Sequence, residues 1–76
     1  MMNSVHPRNL LNELPLDALK GFEAAARLLN FTRAGEELRV TQSAISHQMR
    51  ALETRLGVRL FDRVGGRLRL TPRGEL

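Results

Sequence analysis

The chain has no cysteine, no tryptophan and no tyrosine, and its aromatic residues are three phenylalanines. Without cysteine there is neither a disulfide framework nor a thiolate metal site to reinforce a small core. The two histidines, His6 and His47, stand far apart and form no ligand cluster, so neither a metal nor another cofactor is expected. Phe22, Phe31 and Phe61 all fall at apolar positions, which leaves no exposed platform for stacking single-stranded bases. No apolar run approaches the roughly 18 residues of a membrane span, and no signal-type segment opens the chain. The expectation is a soluble, cytoplasmic chain. Its 76 residues allow one small domain.

Acids are scarce where cations gather. Residues 1–31 set Arg8, Lys20 and Arg27 against Glu13, Asp17 and Glu23, whereas residues 32–76 set nine arginines against five acids. The whole net charge of +4 therefore lies in the second part of the chain. Eleven of the twelve cations are arginine, whose planar fork suits phosphates and guanine edges. GC-rich coding also favours arginine over lysine, but it does not account for the asymmetry.

The stretch from Thr41 to Leu56 carries the pattern that organises the rest. Ile45, Met49, Leu52 and Leu56 recur at helical spacing and fall within a sector of roughly 60°. Gln42, Ser43, Ser46, His47 and Arg50 occupy another sector, with no acid before Glu53. A face kept only for solvent normally mixes both charge signs. Amides, hydroxyls and one cation are what a helix needs to read base edges in a major groove.

Residues 1–13 have no sustained period and predict a loose tail. Pro15 and Asp17 then suit the first turn of a helix. Leu19, Phe22, Ala26 and Leu29, with Ala25 alongside, are its expected core stripe, and Glu23–Arg27 is a favourable i,i+4 pair. Thr32 is the expected N-cap of a second helix, with Ala34 and Leu38 facing inward. Gly35 inside that helix costs about 1 kcal/mol against alanine, which a close helix crossing would explain. Arg39-Val40 makes a short turn, Thr41 caps the long helix, and Gly57 stops it. Two helices joined so tightly, the second with a polar face, predict a helix-turn-helix over about residues 32–56.

Gly65-Gly66 separates two short alternating runs and predicts a β-hairpin, a wing over about 59–71. Leu68 and Leu70 should face the core, and Arg67 and Arg69 should point outward. No Lys-Ser/Thr follows the glycine pair, so it is a turn and not a phosphate loop. Thr71-Pro72 opens another helix. That helix stops within its first turn, the expectation for a cut fragment or a truncated gene. The fold class is thus mainly α: three helices and a two-stranded wing.

Several segments together resemble a known family. They are Phe31-Thr32-Arg33-Ala34, Leu38, Val40 to Ser46, Leu52-Glu53, Leu56-Gly57, Leu60 to Arg63 and Leu70 to Gly74. Over about residues 14–76 they are similar to the N-terminal domain of LysR-type transcriptional regulators. Leu14-Pro15-Leu16 and Ser46-His47-Gln48 resemble the branch of glycine-cleavage and β-lactamase regulators. The resemblance implies a winged helix-turn-helix over 14–71 and the start of a linker helix at 72–76. It implies a homodimer or tetramer in the full-length parent and a small-molecule effector bound only through a further C-terminal domain. Two departures stand out. His47 replaces a commoner arginine, which predicts a weaker or differently selective base contact, and Gly35 replaces a usual alanine, which predicts a looser helix.

On this reading Gln42, Ser43, Ser46 and His47 contact bases of double-stranded DNA. Thr32, Arg33, Thr41 and Arg50 hold backbone phosphates, and Arg63 and Arg67 reach phosphate or minor groove from the wing. Ser43 and His47 stand at i,i+4 like a nucleophile and base, but no acid orients the imidazole and no oxyanion donor is evident. The function expected is regulatory DNA binding without catalysis. A winged-helix module for protein contact is the rival, and would want an apolar outer face on the long helix.

Overall fold

The computed structural model describes residues 16–74. The expected tail over 1–13, Pro15 and the last two residues lie outside them. Helix α1 spans Leu16–Leu28, α2 spans Phe31–Leu38 and α3 spans Gln42–Leu56. Strands β1, Phe61–Val64, and β2, Arg67–Leu70, follow as an antiparallel hairpin. The three helices and the wing of the expected fold are all present.

The expected stripe of α1 holds in part: Ala25 is buried and Phe22 and Ala26 pack on the core, but its end residues Leu19 and Leu29 do not. Leu19 and Leu29 are 39% and 42% exposed, while Gly21, Ala24 and Ala25 are buried. The reason is close packing. A Cβ on Gly21 would lie 2.7 Å from Oε1 of Gln48 and 3.2 Å from Cε of Met49, so the smallest residues admit α3 and the leucines flank the contact. Phe22, Ala26 and Leu28 complete the packed side.

The α1–α2 junction also departs from expectation. Leu29 takes a left-handed φ of 51°, and Asn30, not Thr32, caps α2. The Asn30 side-chain oxygen accepts from the Arg33 amide at 2.9 Å. Thr32 lies inside the first turn, because Phe31 already begins the helix and sets its ring edge-on against Phe61, with centroids 5.4 Å apart. Asparagine caps as well as threonine does, so composition could not separate the two. Arg27 fastens this corner, donating to Glu23 at 2.9 Å and to Glu37 on α2.

Gly35 makes room for the turn and for the capping residue of α3, Thr41, whose carbonyl a Cβ would meet at 3.2 Å. A Cβ there would stand 2.7 Å from the Val40 carbonyl oxygen. The turn closes over α2 with Arg39 at φ 62° and the Val40 amide donating to the Gly35 carbonyl at 2.9 Å. Thr41 then caps α3 as expected, its hydroxyl accepting from the Ala44 amide at 3.0 Å. At the other end the Gly57 amide donates to the Glu53 carbonyl at 2.8 Å.

The expected stripe of α3 lies in the core. Ile45, Met49 and Leu52 are buried with Ala24, Ala25, Ala34, Leu60, Phe61 and Leu68, and Leu56 is half-buried. Phe61 is the hub between helices and wing, touching the rings of both Phe22 and Phe31. In the hairpin, Gly65 and Gly66 take φ 61° and 79°, the paired left-handed conformation of a type I′ turn. Phe61 pairs with Leu70 and Arg63 with Leu68, so Arg63 shares the inner face of the wing. Arg67 and Arg69 are exposed on either side of the buried Leu68, as expected. After β2 the Gly74 amide donates to the Thr71 carbonyl and hydroxyl at 2.9 and 3.2 Å, the bonding of an N-cap.

Candidate nucleic-acid interface

Because three core residues fix the rotation of α3, its polar sector must face away from the bundle. Gln42, Ser43, His47 and Arg50 are exposed, spread over roughly 140° of the helix. Ser46 is the exception. It is half-buried, and its hydroxyl accepts from an Arg50 guanidinium nitrogen at 3.2 Å. Its place in the structure is to steady the arginine.

Six of the ten residues expected to act together fall into two adjoining hollows, and Ser43 lines neither. A cleft of about 730 Å³ between the start of α2 and the wing is lined by Thr32, Gln42, Arg63, Arg67 and Arg69, with no acid among the described residues on its walls. A smaller hollow of about 310 Å³ between α3 and the wing joins Ser46, Arg50, Glu53, Arg59 and Arg63. Arg63 borders both because its strand position turns it inward, toward the helices. His47 is separate, beside a depression with Asp17, Gln48 and Arg55 between α1 and α3. Arg33 and Thr41 are exposed near the starts of α2 and α3 but line neither hollow.

Glu53 is the residue that sequence reasoning passed over. One oxygen of its carboxylate accepts from the amides of Leu60 and Phe61 at 2.8 and 3.0 Å. It thereby ties the far end of α3 to the first residues of the wing. Its side chain is only 16% exposed, and Arg59 approaches within 3.9 Å. Arg59 is held in turn by the Phe61 carbonyl at 3.2 Å. The available signal was an acid closing an otherwise acid-free helix face, one turn before the Gly57 stop. Arg69 was predicted to point outward, but its membership of the cleft depends on tertiary placement.

The perturbed titrations lie away from this surface. Hydrogen bonding from Arg27 holds the Glu23 carboxyl below the usual carboxylate range, and the two glutamates hold the Arg27 guanidinium protonated still more firmly. Among the described residues no group of acids or histidines could hold a metal ion, and no helix is long and apolar enough to cross a membrane. The chemistry available is therefore that of exposed amide, hydroxyl, imidazole and guanidinium groups on a rigid frame. These groups hydrogen-bond base edges and phosphate oxygens.

Comparison with known proteins agrees with this frame. Residues 16–75 match the model of the bacterial regulatory helix-turn-helix protein, lysR family. The chain is 61% identical over 62 residues to the HTH-type transcriptional activator AmpR of Pseudomonas aeruginosa, covering 82% of this chain and 21% of that protein. It is 57% identical over 61 residues to the glycine cleavage system transcriptional activator of Escherichia coli K12, covering 80% and 20%. A LysR-family regulator from Eggerthella lenta superposes with a TM-score of 0.78 at 37% identity, covering 82% of this chain and 89% of that one. The CbnR DNA-binding domain, solved in a DNA complex, gives 0.76 at 39% identity, covering 82% and 71%. This chain spans about a fifth of the length of the curated relatives it matches. The family model takes in all three helices and the wing, and the two activators are the kind of regulator that the Ser46-His47-Gln48 segment resembles. The chain belongs to the lysR family of bacterial regulatory helix-turn-helix proteins.

Proposed function

We propose that this domain is the sequence-reading head of a bacterial transcriptional regulator and binds double-stranded DNA in the cytoplasm without catalysing a reaction. The observation that carries the reading is the arginine-lined cleft, with Arg63, Arg67 and Arg69 on its walls, opening beside the exposed polar face of α3. In this reading α3 enters the major groove, where Gln42, Ser43, Ser46 and His47 discriminate bases. Thr32, Arg33, Thr41 and Arg50 set register on the phosphates, and Arg63 and Arg67 follow the backbone from the wing. DNA complexes of the related CbnR and BenM domains support it.

The domain proper runs over 14–71, preceded by a tail over 1–13. The capped turn Thr71–Gly74 supports residues 72–76 as the beginning of a linker helix. Pairing of two such heads in a homodimer would read half-sites about one helical turn, or a multiple, apart. Ser43 and His47 are both exposed, which favours contact with a groove over a nucleophile–base role.

The test is duplex binding at several salt concentrations, on selected and random sequences. Gln42→Ala should erase sequence preference, costing about tenfold on the selected site alone. Arg50→Ala should weaken every duplex alike and lower the salt slope by about one. Failure of the folded wild-type chain to bind any duplex at low salt would overturn the reading.

A further inference from the structure

Among the described residues, two apolar side chains on the cation-lined cleft stand outside the core cluster. Leu29 is 42% exposed and Val64 is 51% exposed, and both line the cleft with Arg63, Arg67 and Arg69. Leu29 is doubly unfavourable where it stands. Besides its exposure it takes a φ of 51°, a left-handed conformation that asparagine or glycine adopts at less cost. Val64 lies at the end of β1 next to the hairpin turn, where a polar residue would serve the strand as well.

A cleft with guanidinium groups, no acid and exposed aliphatic side chains fits a ligand that alternates anion and hydrocarbon. A sugar–phosphate strand does so, presenting a phosphate and then the apolar edge of a deoxyribose at each step. We infer that this cleft seats one backbone strand of duplex DNA, its phosphates held by the wing arginines and its deoxyriboses packed on Leu29 and Val64. The inference rests on the DNA-binding reading and adds a contact that none of the polar residues supplies. Apolar packing on the sugars releases no counterions, so it strengthens binding equally at every salt concentration.

The experiment compares the 76-residue chain with Leu29→Asn, Val64→Thr and Arg67→Ala by fluorescence anisotropy of a labelled duplex across a salt series. Asparagine tolerates the left-handed conformation, and threonine keeps the shape and strand preference of valine. Each apolar variant should weaken binding about three- to tenfold with an unchanged salt slope. Arg67→Ala should lower the slope by about one. Thermal unfolding of each variant at the wild-type midpoint, within a few degrees, assigns the loss to contact and not to folding. If Leu29→Asn and Val64→Thr bind like wild type while Arg67→Ala changes the slope, the sugar contact is wrong and the DNA-binding reading stands. If the wild-type chain binds no duplex, both fall together.

Discussion

Removing the Glu53 carboxylate tests how the wing is joined to α3. The Glu53→Ala variant strands two amides, on Leu60 and Phe61, that the same carboxylate oxygen now accepts at 2.8 and 3.0 Å. Both residues are 5% exposed, so water does not readily replace the lost acceptor. A hydrogen bond to a charged group is worth about 1.5–3 kcal/mol, and a buried donor left unpaired costs a similar amount. Sharing one oxygen makes the two bonds less than additive, which puts the loss at about 3 kcal/mol. A chain of this length has roughly 4–11 kcal/mol of stability in all. The unfolding midpoint should therefore fall by roughly 12–24 °C.

Glu53→Gln keeps a neutral acceptor and should lose only about 1 kcal/mol. The assay is urea and thermal unfolding followed by far-UV circular dichroism. Amide hydrogen exchange adds the location: protection should collapse first at Leu60 and Phe61, ahead of the α3 amides of Ile45 and Met49. A Glu53→Ala variant within 0.5 kcal/mol of wild type, an error-sized change on the scale of about 1 kcal/mol per bond, would refute the reasoning.

The capping assignment gives a paired prediction: Asn30→Ala should cost about 1 kcal/mol in urea unfolding, and Thr32→Ala clearly less. Gly74→Ala should destabilise by about 2 kcal/mol, because its Cβ would sit 2.3 Å from the Leu60 carbonyl oxygen and 2.9 Å from Cδ2 of Leu70. The denaturation midpoint reads this directly, and a wild-type midpoint would show that the turn after β2 is free to move. For Glu23 the folded-state value is depressed below the ordinary 4.5. Its contribution is thus complete above that pH and is lost as the pH falls through the folded value. Carboxyl NMR should place the Glu23 midpoint below 4.5, and Arg27→Gln should return it upward.

The contrast between α3 and α1 shows where sequence legibility ended. In α3 the large apolar residues are the buried ones, and Thr41 and Gly57 mark both ends, so period and caps point to one answer. In α1 the signal is inverted: Gly21, Ala24 and Ala25 are buried while Leu16 and Leu19 are not. The two sides of one close contact differ: α3 brings Ile45 and Met49 to it, and α1 meets them with small residues, whose burial hydrophobic size does not mark. The candidate site divides in the same way. Gln42, Ser43, His47 and Arg50 were legible because one helix presents them together. The cleft was not, since Leu29 and Arg69 are far apart in the chain and meet only after the wing has folded back on α2. That return is set by Glu53 binding two amides and by Phe61 between two rings, contacts between residues that no local period connects. The face proposed to discriminate bases is thus encoded locally, and the surface proposed to follow the backbone depends on long-range packing. Wing-anchor substitutions should consequently reduce affinity for all duplexes while leaving the preference set by Gln42 intact.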